Sequence, residues 1–381
     1  MQTFSLKVPS HVVFGQDVLP QLGRIARQIG TRALIVSESV LHEGQHIARV
    51  NEILKRAGLE TMVYDELMPG SPASITDEIA ALARASKAQL VVGLGGMRVL
   101  SIARCVANVA VDSKKVGDMM EGAIPTMSLP YIEVPSSYRN HLLMRDEGVM
   151  RDPMLNRARI VRLAPGTVKA AVLDTSFTQT LSHKYALAAI LDTLLAAVEG
   201  YYSPHGTMFS DTLLLRATEE LHKAALAGIR NPSDGRFRLQ AAEAGFLTAM
   251  GLSVTGQGIG GGLSYAINAR FSLPKSWVSS ILLPHVVDML TPRDVEKAAR
   301  IAAALDEPVE RIIAADDAKR AARGVRKLLT QLDLPPRLRD LDVTLDELSA
   351  VAEDAADFPM LANVPGGASE EELQQLVSAA F

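Results

Sequence analysis

The chain has 381 residues, with 39 Lys+Arg against 43 Asp+Glu and a net charge of −4. That balance supplies no basic field for nucleic-acid binding. A single cysteine, Cys105, excludes a disulfide framework and any multi-cysteine zinc or iron–sulfur centre. Hydrophobic residues make up 48% and charged residues 22%, a globular composition in a chain long enough for two domains. The opening MQTFSLKVPSHVVFG lacks the charged and apolar regions of a signal peptide. No apolar run reaches the ~18 residues of a membrane span, so a cytoplasmic protein with no membrane partner is expected.

Short β-rich runs at 11–15, 33–38, 61–66, 89–96 and 131–135 alternate with helical stretches at 18–29, 43–57, 75–86 and 99–109. This alternation predicts a parallel sheet covered on both faces. A further extended pair falls at 158–163 and 169–174. From about residue 175 the pattern is helical: 184–202, 207–228, 234–250, 261–270, 278–290, 294–304, 308–331, 345–353 and 370–380. Thr291-Pro292 reads as a cap followed by a first-turn proline. Thr344 with Glu347, and Ser369 with Glu372, match the capping box. Asn231-Pro232-Ser233-Asp234-Gly235 is a turn between two helices. The expected architecture is a Rossmann-like α/β domain over 1–165 and an all-helical domain over 166–381, with the cleft between them as the default site.

Four local motifs invite function. His42-Glu43-Gly44-Gln45-His46 matches the H-E-x-x-H zinc pattern, but Gly44 weakens the helix that would align the two imidazoles, so a chance surface match is expected. Gly256-Gln257-Gly258-Ile259-Gly260-Gly261 matches G-x-G-x-x-G but follows a helix, not a strand, and so is not a dinucleotide fingerprint; its amides are left to face a ligand anion. Gly93-Leu94-Gly95-Gly96 ends an apolar strand and leads into a helix, where a phosphate can approach bare backbone. His285 sits in the apolar run Ile281-Leu282-Leu283-Pro284-His285, either as a half-buried core histidine or as an acid–base group.

Taken together, Val13-Phe14-Gly15, the 93–96 turn, Leu173-Asp174, Leu191-Asp192-Thr193-Leu194, Val198-Glu199-Gly200-Tyr201 and Ile281–Val286 resemble the iron-containing alcohol dehydrogenases. Maleylacetate reductases and the wider dehydroquinate-synthase-like superfamily stand behind them. The resemblance implies that two-domain fold, NAD(P) bound by the first domain, and a divalent iron or zinc held by one Asp and three His of the second. The Asp-x-x-x-His pair falls on Asp192 and Ala196, the next ligand histidine on Gly261, a nearby family histidine on Tyr265, and the fourth ligand, in a Pro-His-Gly motif, on Lys275. One carboxylate without imidazoles makes a poor transition-metal site, so iron or zinc is not expected. The expectation is that the Lys275 ammonium takes the place of the metal's charge and pairs with Asp192.

The nucleotide loops depart as well. The family's Gly-Gly-Gly-Ser-x-x-Asp becomes Gly95-Gly96-Met97-Arg98-Val99-Leu100-Ser101, and its Pro-Thr-Thr-x-Gly-Thr-Gly-Ser-Glu loop becomes Pro135–Leu143. NAD(P), if retained, would use Gly95, Gly96 and Ser37. The expected function is metal-independent chemistry on a small anionic substrate, a carboxylate or phosphate, in a homodimer. Lys275 and Asp192 are the electrostatic pair, and Tyr138, Tyr265 and His285 are the candidate proton donors or acceptors. Arg98 and Arg139 would clamp the anion, with Ser136, Ser137 and His141 beside them. A metal-free NAD(P)-dependent reductase and a non-catalytic binding subunit remain open.

Overall fold

The structure, a computed structural model, describes residues 11–68, 71, 73–143, 145–309 and 319–381. The chain divides into two compact units. Among the described residues, the first comprises 11–137 and 142–180, and the second comprises Tyr138–His141 and 181–381. The division expected at 165/166 therefore moves. Strand 168–174 pairs in the first unit's sheet, so the boundary falls after it, and four residues from within the α/β half belong to the helical unit.

In the α/β unit, β1 (His11–Gly15), β2 (Arg32–Glu38), β3 (Glu60–Leu67), β4 (Leu90–Gly95), β5 (Tyr131–Pro135) and β8 (Val168–Asp174) form a six-stranded sheet in the order β1-β8-β5-β4-β2-β3. All its pairings are parallel. The two-residue period of a strand sends alternate side chains to opposite faces. Leu34, Val36, Val91 and Tyr131 enter one core with α4 (Met97–Val109) and α3 (Ile75–Ala85). Ala33, Ile35, Val92 and Ile132 enter the other with α1 (Gln21–Ile29) and α2 (His46–Arg56). β4 is buried along its whole length, which is why its sequence is an uninterrupted apolar and glycine run.

The antiparallel hairpin of β6 (Glu147–Asp152) and β7 (Arg157–Arg162) departs from expectation. The sequence pattern marks extended segments at 158–163 and 169–174 but none over 147–152. The first of these pairs with β6, whose charged ends and glycine hide its alternation.

Gly93 is required by packing, because a Cβ there would lie 2.2 Å from the Tyr131 hydroxyl. Gly93→Ala is expected to lose about 1–3 kcal/mol by overpacking, read from chemical denaturation. A loss near zero would show that the Tyr131 ring swings away freely.

In the helical unit, α6 (His183–Tyr202) is buried almost all round, as an apolar helix without a polar face must be. Around it pack α7 (Met208–Arg230), α8 (Arg236–Thr255), α9 (Ile259–Phe271), α10 (Lys275–Leu290) and α11 (Val295–Ala304). Helices Arg320–Leu329, Leu345–Ala356 and Glu370–Ala380 complete it. The last two begin with the expected capping boxes at Thr344 and Ser369. Residues 231–235 do turn the chain between α7 and α8. Thr291-Pro292 instead opens a single 3-10 turn, and the cap of α11 is Asp294, whose carboxylate accepts the Lys297 amide at 2.9 Å. The middle of the helix expected over 308–331 lies outside the described residues. Among the described residues no helix is long and apolar enough to cross a membrane.

Candidate functional site

The zinc-like motif does not assemble. Ser39–His42 forms a 3-10 turn, Gln45 takes a left-handed conformation, and α2 starts only at His46. His42 pairs with Asp65 at 3.0 Å, whereas His46 packs edge-on against Phe177.

The polar centre of the helical unit is Asp192, on α6 and 0% exposed. Lys275 follows Pro274 as the first residue of α10, the end of a helix where the dipole disfavours a cation. Asp192 offsets this. Its Oδ1 accepts from Lys275 Nζ at 2.6 Å and its Oδ2 from Arg139 Nε at 2.5 Å. Arg139 also donates to the Tyr185 hydroxyl at 3.2 Å. Lys275 Nζ further faces the Ser279 hydroxyl at 3.3 Å and lies 4.6 Å from the centre of the Tyr265 ring. Ser279 in turn donates to Ser264 at 2.9 Å, and Ser264 to the Gly260 carbonyl at 2.7 Å. The three donors of the ammonium thus have a carboxylate, a hydroxyl and a ring face around them.

Burial opposes ionisation of Asp192, but Lys275 and Arg139 overcome it and hold its carboxyl well below the usual carboxylate range. Burial pulls the Lys275 ammonium down while Asp192 holds it up. His141 is buried close enough to feel this cluster; burial, with Lys275 and Arg139 adding, pushes its imidazole down to about 3. It is a neutral ring, and neither of its nitrogens has a hydrogen-bond partner among the described residues.

Two turns along α6 from Asp192 stands Glu199, 2% exposed. It accepts the Gly260 and Gly261 amides at 2.5 and 3.1 Å. The amides of the 256–261 glycine run, read from the sequence as open to a ligand anion, are therefore met by the chain's own carboxylate. Burial pushes Glu199 up to about 7, against its amide donors. Raised from an ordinary 4.5, this carboxyl adds stability fully below pH 4.5 and loses it as pH rises through about 7. The linked loss is roughly 3 kcal/mol. Glu199→Gln is expected to remove that component, so thermal melts at pH 6 and 8 would separate less for the variant than for the parent. A parent whose melts separate no more than the variant's overturns the assignment.

Tyr265 donates its hydroxyl to Gln257 Oε1 at 3.1 Å. Gln257 is 4% exposed, and its Nε2 lies 2.7 Å from where a Cβ on Gly261 would stand. The carboxamide fills the space that the resemblance gives to an imidazole. Sequence reading missed it because it lay inside a run taken for its glycines; a lone amide among them was the available signal.

The remaining candidates are placed elsewhere or are engaged. Tyr138 is buried and donates its hydroxyl to the Ala186 carbonyl, with burial raising its pKa well above the usual phenol value, so it is not poised for proton transfer. His285 stands ten positions after Lys275, ~15 Å along α10. Arg98 and Arg139, expected to clamp one anion, belong to different units, each bound to a carboxylate. Arg98 pairs with Glu38 at 2.9 Å and donates to the Met68 carbonyl at 2.6 Å. In that same α/β unit the Gly96 amide lies 3.4 Å from Glu38 Oε1, and the Ser37 hydroxyl donates to the Leu94 carbonyl at 3.0 Å. The Ser136 amide donates to the Gly95 carbonyl at 3.0 Å, and Ser136 and Ser137 are both buried. Among the described residues no three His, Cys, Asp or Glu side chains gather as a metal site.

Known proteins share this fold. The chain is 24% identical over 374 residues to lactaldehyde reductase of Escherichia coli K12, covering 97% of each chain. It is 23% identical over 380 residues to long-chain-alcohol dehydrogenase 1 of Geobacillus thermodenitrificans, covering 98% of this chain and 95% of that one. A solved 1,3-propanediol oxidoreductase superposes with a TM-score of 0.92 at 20% identity, over 100% of both chains. An archaeal alcohol dehydrogenase from a Red Sea brine pool also gives 0.92 at 20% identity and full coverage. These likenesses fix the fold. Residues 9–140 match the iron-containing alcohol dehydrogenase model and residues 186–381 match the C-terminal model of the same family. The chain therefore belongs to the iron-containing alcohol dehydrogenase family and is an oxidoreductase-like protein.

Proposed function

We propose that the chain acts without a bound metal ion on a small anionic molecule, a carboxylate or phosphate, at the Asp192–Lys275–Arg139 cluster. One observation carries this reading: the two cations Lys275 and Arg139 converge on the single buried carboxylate of Asp192. Two cations held this close repel one another, and an anion between them would offset that repulsion. In this role Lys275 supplies the electrostatic stabilisation, Asp192 orients it, and His141 and Tyr265 are the polar groups beside it.

A divalent cation does not fit these donors. Both oxygens of Asp192 already face cations, and Ala196, Gly261 and Tyr265 offer no imidazole. A pyrophosphate fits the glycine turn poorly, because it would meet the Glu38 carboxylate at the Gly96 amide. The same reading takes the chain as a cytoplasmic homodimer.

A second reading, a non-catalytic binding subunit, is favoured by how fully the donors of Lys275 are engaged within the protein. Elemental analysis of purified protein, with thermal shift in acetate and inorganic phosphate, separates the two. We expect substoichiometric iron and zinc, and an anion-dependent rise in melting temperature that Lys275→Met abolishes. A full equivalent of either metal overturns the proposal. No shift with either anion favours the binding subunit. Enhanced NAD(P)H fluorescence at micromolar cofactor would point instead to a metal-free reductase.

A further inference from the structure

Among the described residues, the Gln257 carboxamide is used on one side only. Its backbone carbonyl is pinned by Asn363 Nδ2 at 2.7 Å, and its Oε1 is taken by the Tyr265 hydroxyl at 3.1 Å. With Oε1 committed, the amide's Nε2 is the free edge. That atom is buried and has no hydrogen-bond partner among the described residues. The donor is turned toward bare Gly261, whose missing side chain leaves it room. Tyr265 links Gln257 to the charged cluster: its hydroxyl bonds the carboxamide, and its ring centre lies 4.6 Å from the Lys275 ammonium. His141, the second buried group with orphaned nitrogens, feels the same Lys275 charge. An orphaned buried amide is expensive to keep, and a carboxamide neither titrates nor ligates transition metals well. What it does well is donate to an uncharged oxygen.

We propose that Gln257 is the specificity-determining residue of this site, its Nε2 donating to a second, uncharged acceptor oxygen of a bound carboxylate. The ligand class is then a small carboxylic acid that also carries a carbonyl. This rests on the anion reading above and adds to it the chemistry of the ligand's far end. A site built to donate to an oxygen discriminates strongly against the analogue that lacks it, because the donor is then left unpaired.

Calorimetric titration of the full chain with pyruvate and with propionate tests this, since the two differ by the ketone oxygen. The parent is expected to bind pyruvate about tenfold more tightly than propionate. Gln257→Leu, close in volume but without the donor, should bring pyruvate down to the propionate level. Gln257→Glu, which keeps the shape and adds a negative charge, should weaken both anions by about tenfold or more, with its melting curve confirming a folded protein. Equal affinities in the parent, or a ketone preference that survives in Gln257→Leu, overturn the role of Gln257 and leave the anion reading standing. Binding of neither compound to the parent overturns this assignment, and it overturns the anion reading as well where acetate and inorganic phosphate also give no thermal shift.

Discussion

Replacing Asp192 with alanine is expected to cost about 3–5 kcal/mol and to lower the melting temperature by roughly 10 °C. The carboxylate is 0% exposed and is the counter-charge of both Lys275 and Arg139. Without it two cations remain buried close together, with His141 held neutral and unable to compensate. The sign of the rescue distinguishes electrostatics from lost packing. Adding Lys275→Met to Asp192→Ala removes one of the stranded charges, and apolar replacements of buried ion pairs are often near neutral. The double variant should therefore recover much of the loss, giving a large coupling between the two positions. Additive losses would mean that Lys275 and Asp192 do not depend on each other, and the proposed site would go with that result.

That pair was legible in the sequence only through resemblance. Pro274-Lys275 and Leu191-Asp192 stand 83 positions apart, and no local period joins them. Once aligned to motifs that elsewhere carry an imidazole and an aspartate, their meeting followed from charge. The sheet was legible by simpler means, because β4 must be apolar on both faces and the strand–helix alternation leaves few alternatives. Arg139 was seen as a clamp for an external anion because its partner, 53 positions later, is on another element. Glu199 was seen only as part of a motif, since nothing local reveals that it accepts amides some 60 residues on. Gly245 gave no signal either, although a Cβ there would come within 2.5 Å of the Tyr138 carbonyl oxygen. These are tertiary facts, set by which helices pack together, and a single sequence shows them only where a motif has already fixed the alignment.

The buried pair of the α/β unit was equally invisible and should be nearly as consequential. Arg104 on α4 donates from Nε and Nη2 to Glu133 Oε2 at 3.0 and 2.6 Å, and from Nη1 to the Glu147 carbonyl at 2.7 Å. Their side chains are 2% and 0% exposed. Arg104→Met is expected to lose about 3–5 kcal/mol at pH 7, because the Glu133 carboxylate is left alone in the sheet's core. Burial already raises Glu133 above its ordinary value, and removing the guanidinium raises it further. A carboxyl raised in the folded state is harmless when protonated, and its stability contribution is lost as pH rises. The deficit of Arg104→Met should therefore shrink at pH 5, and adding Glu133→Leu should remove its pH dependence altogether. The hairpin's bond through the Glu147 carbonyl is lost in both variants, so a residual deficit common to them measures that anchor. A deficit in Arg104→Met that stays constant from pH 5 to 8 would show that the arginine acts through packing and the hairpin alone, not through the charge it shares with Glu133.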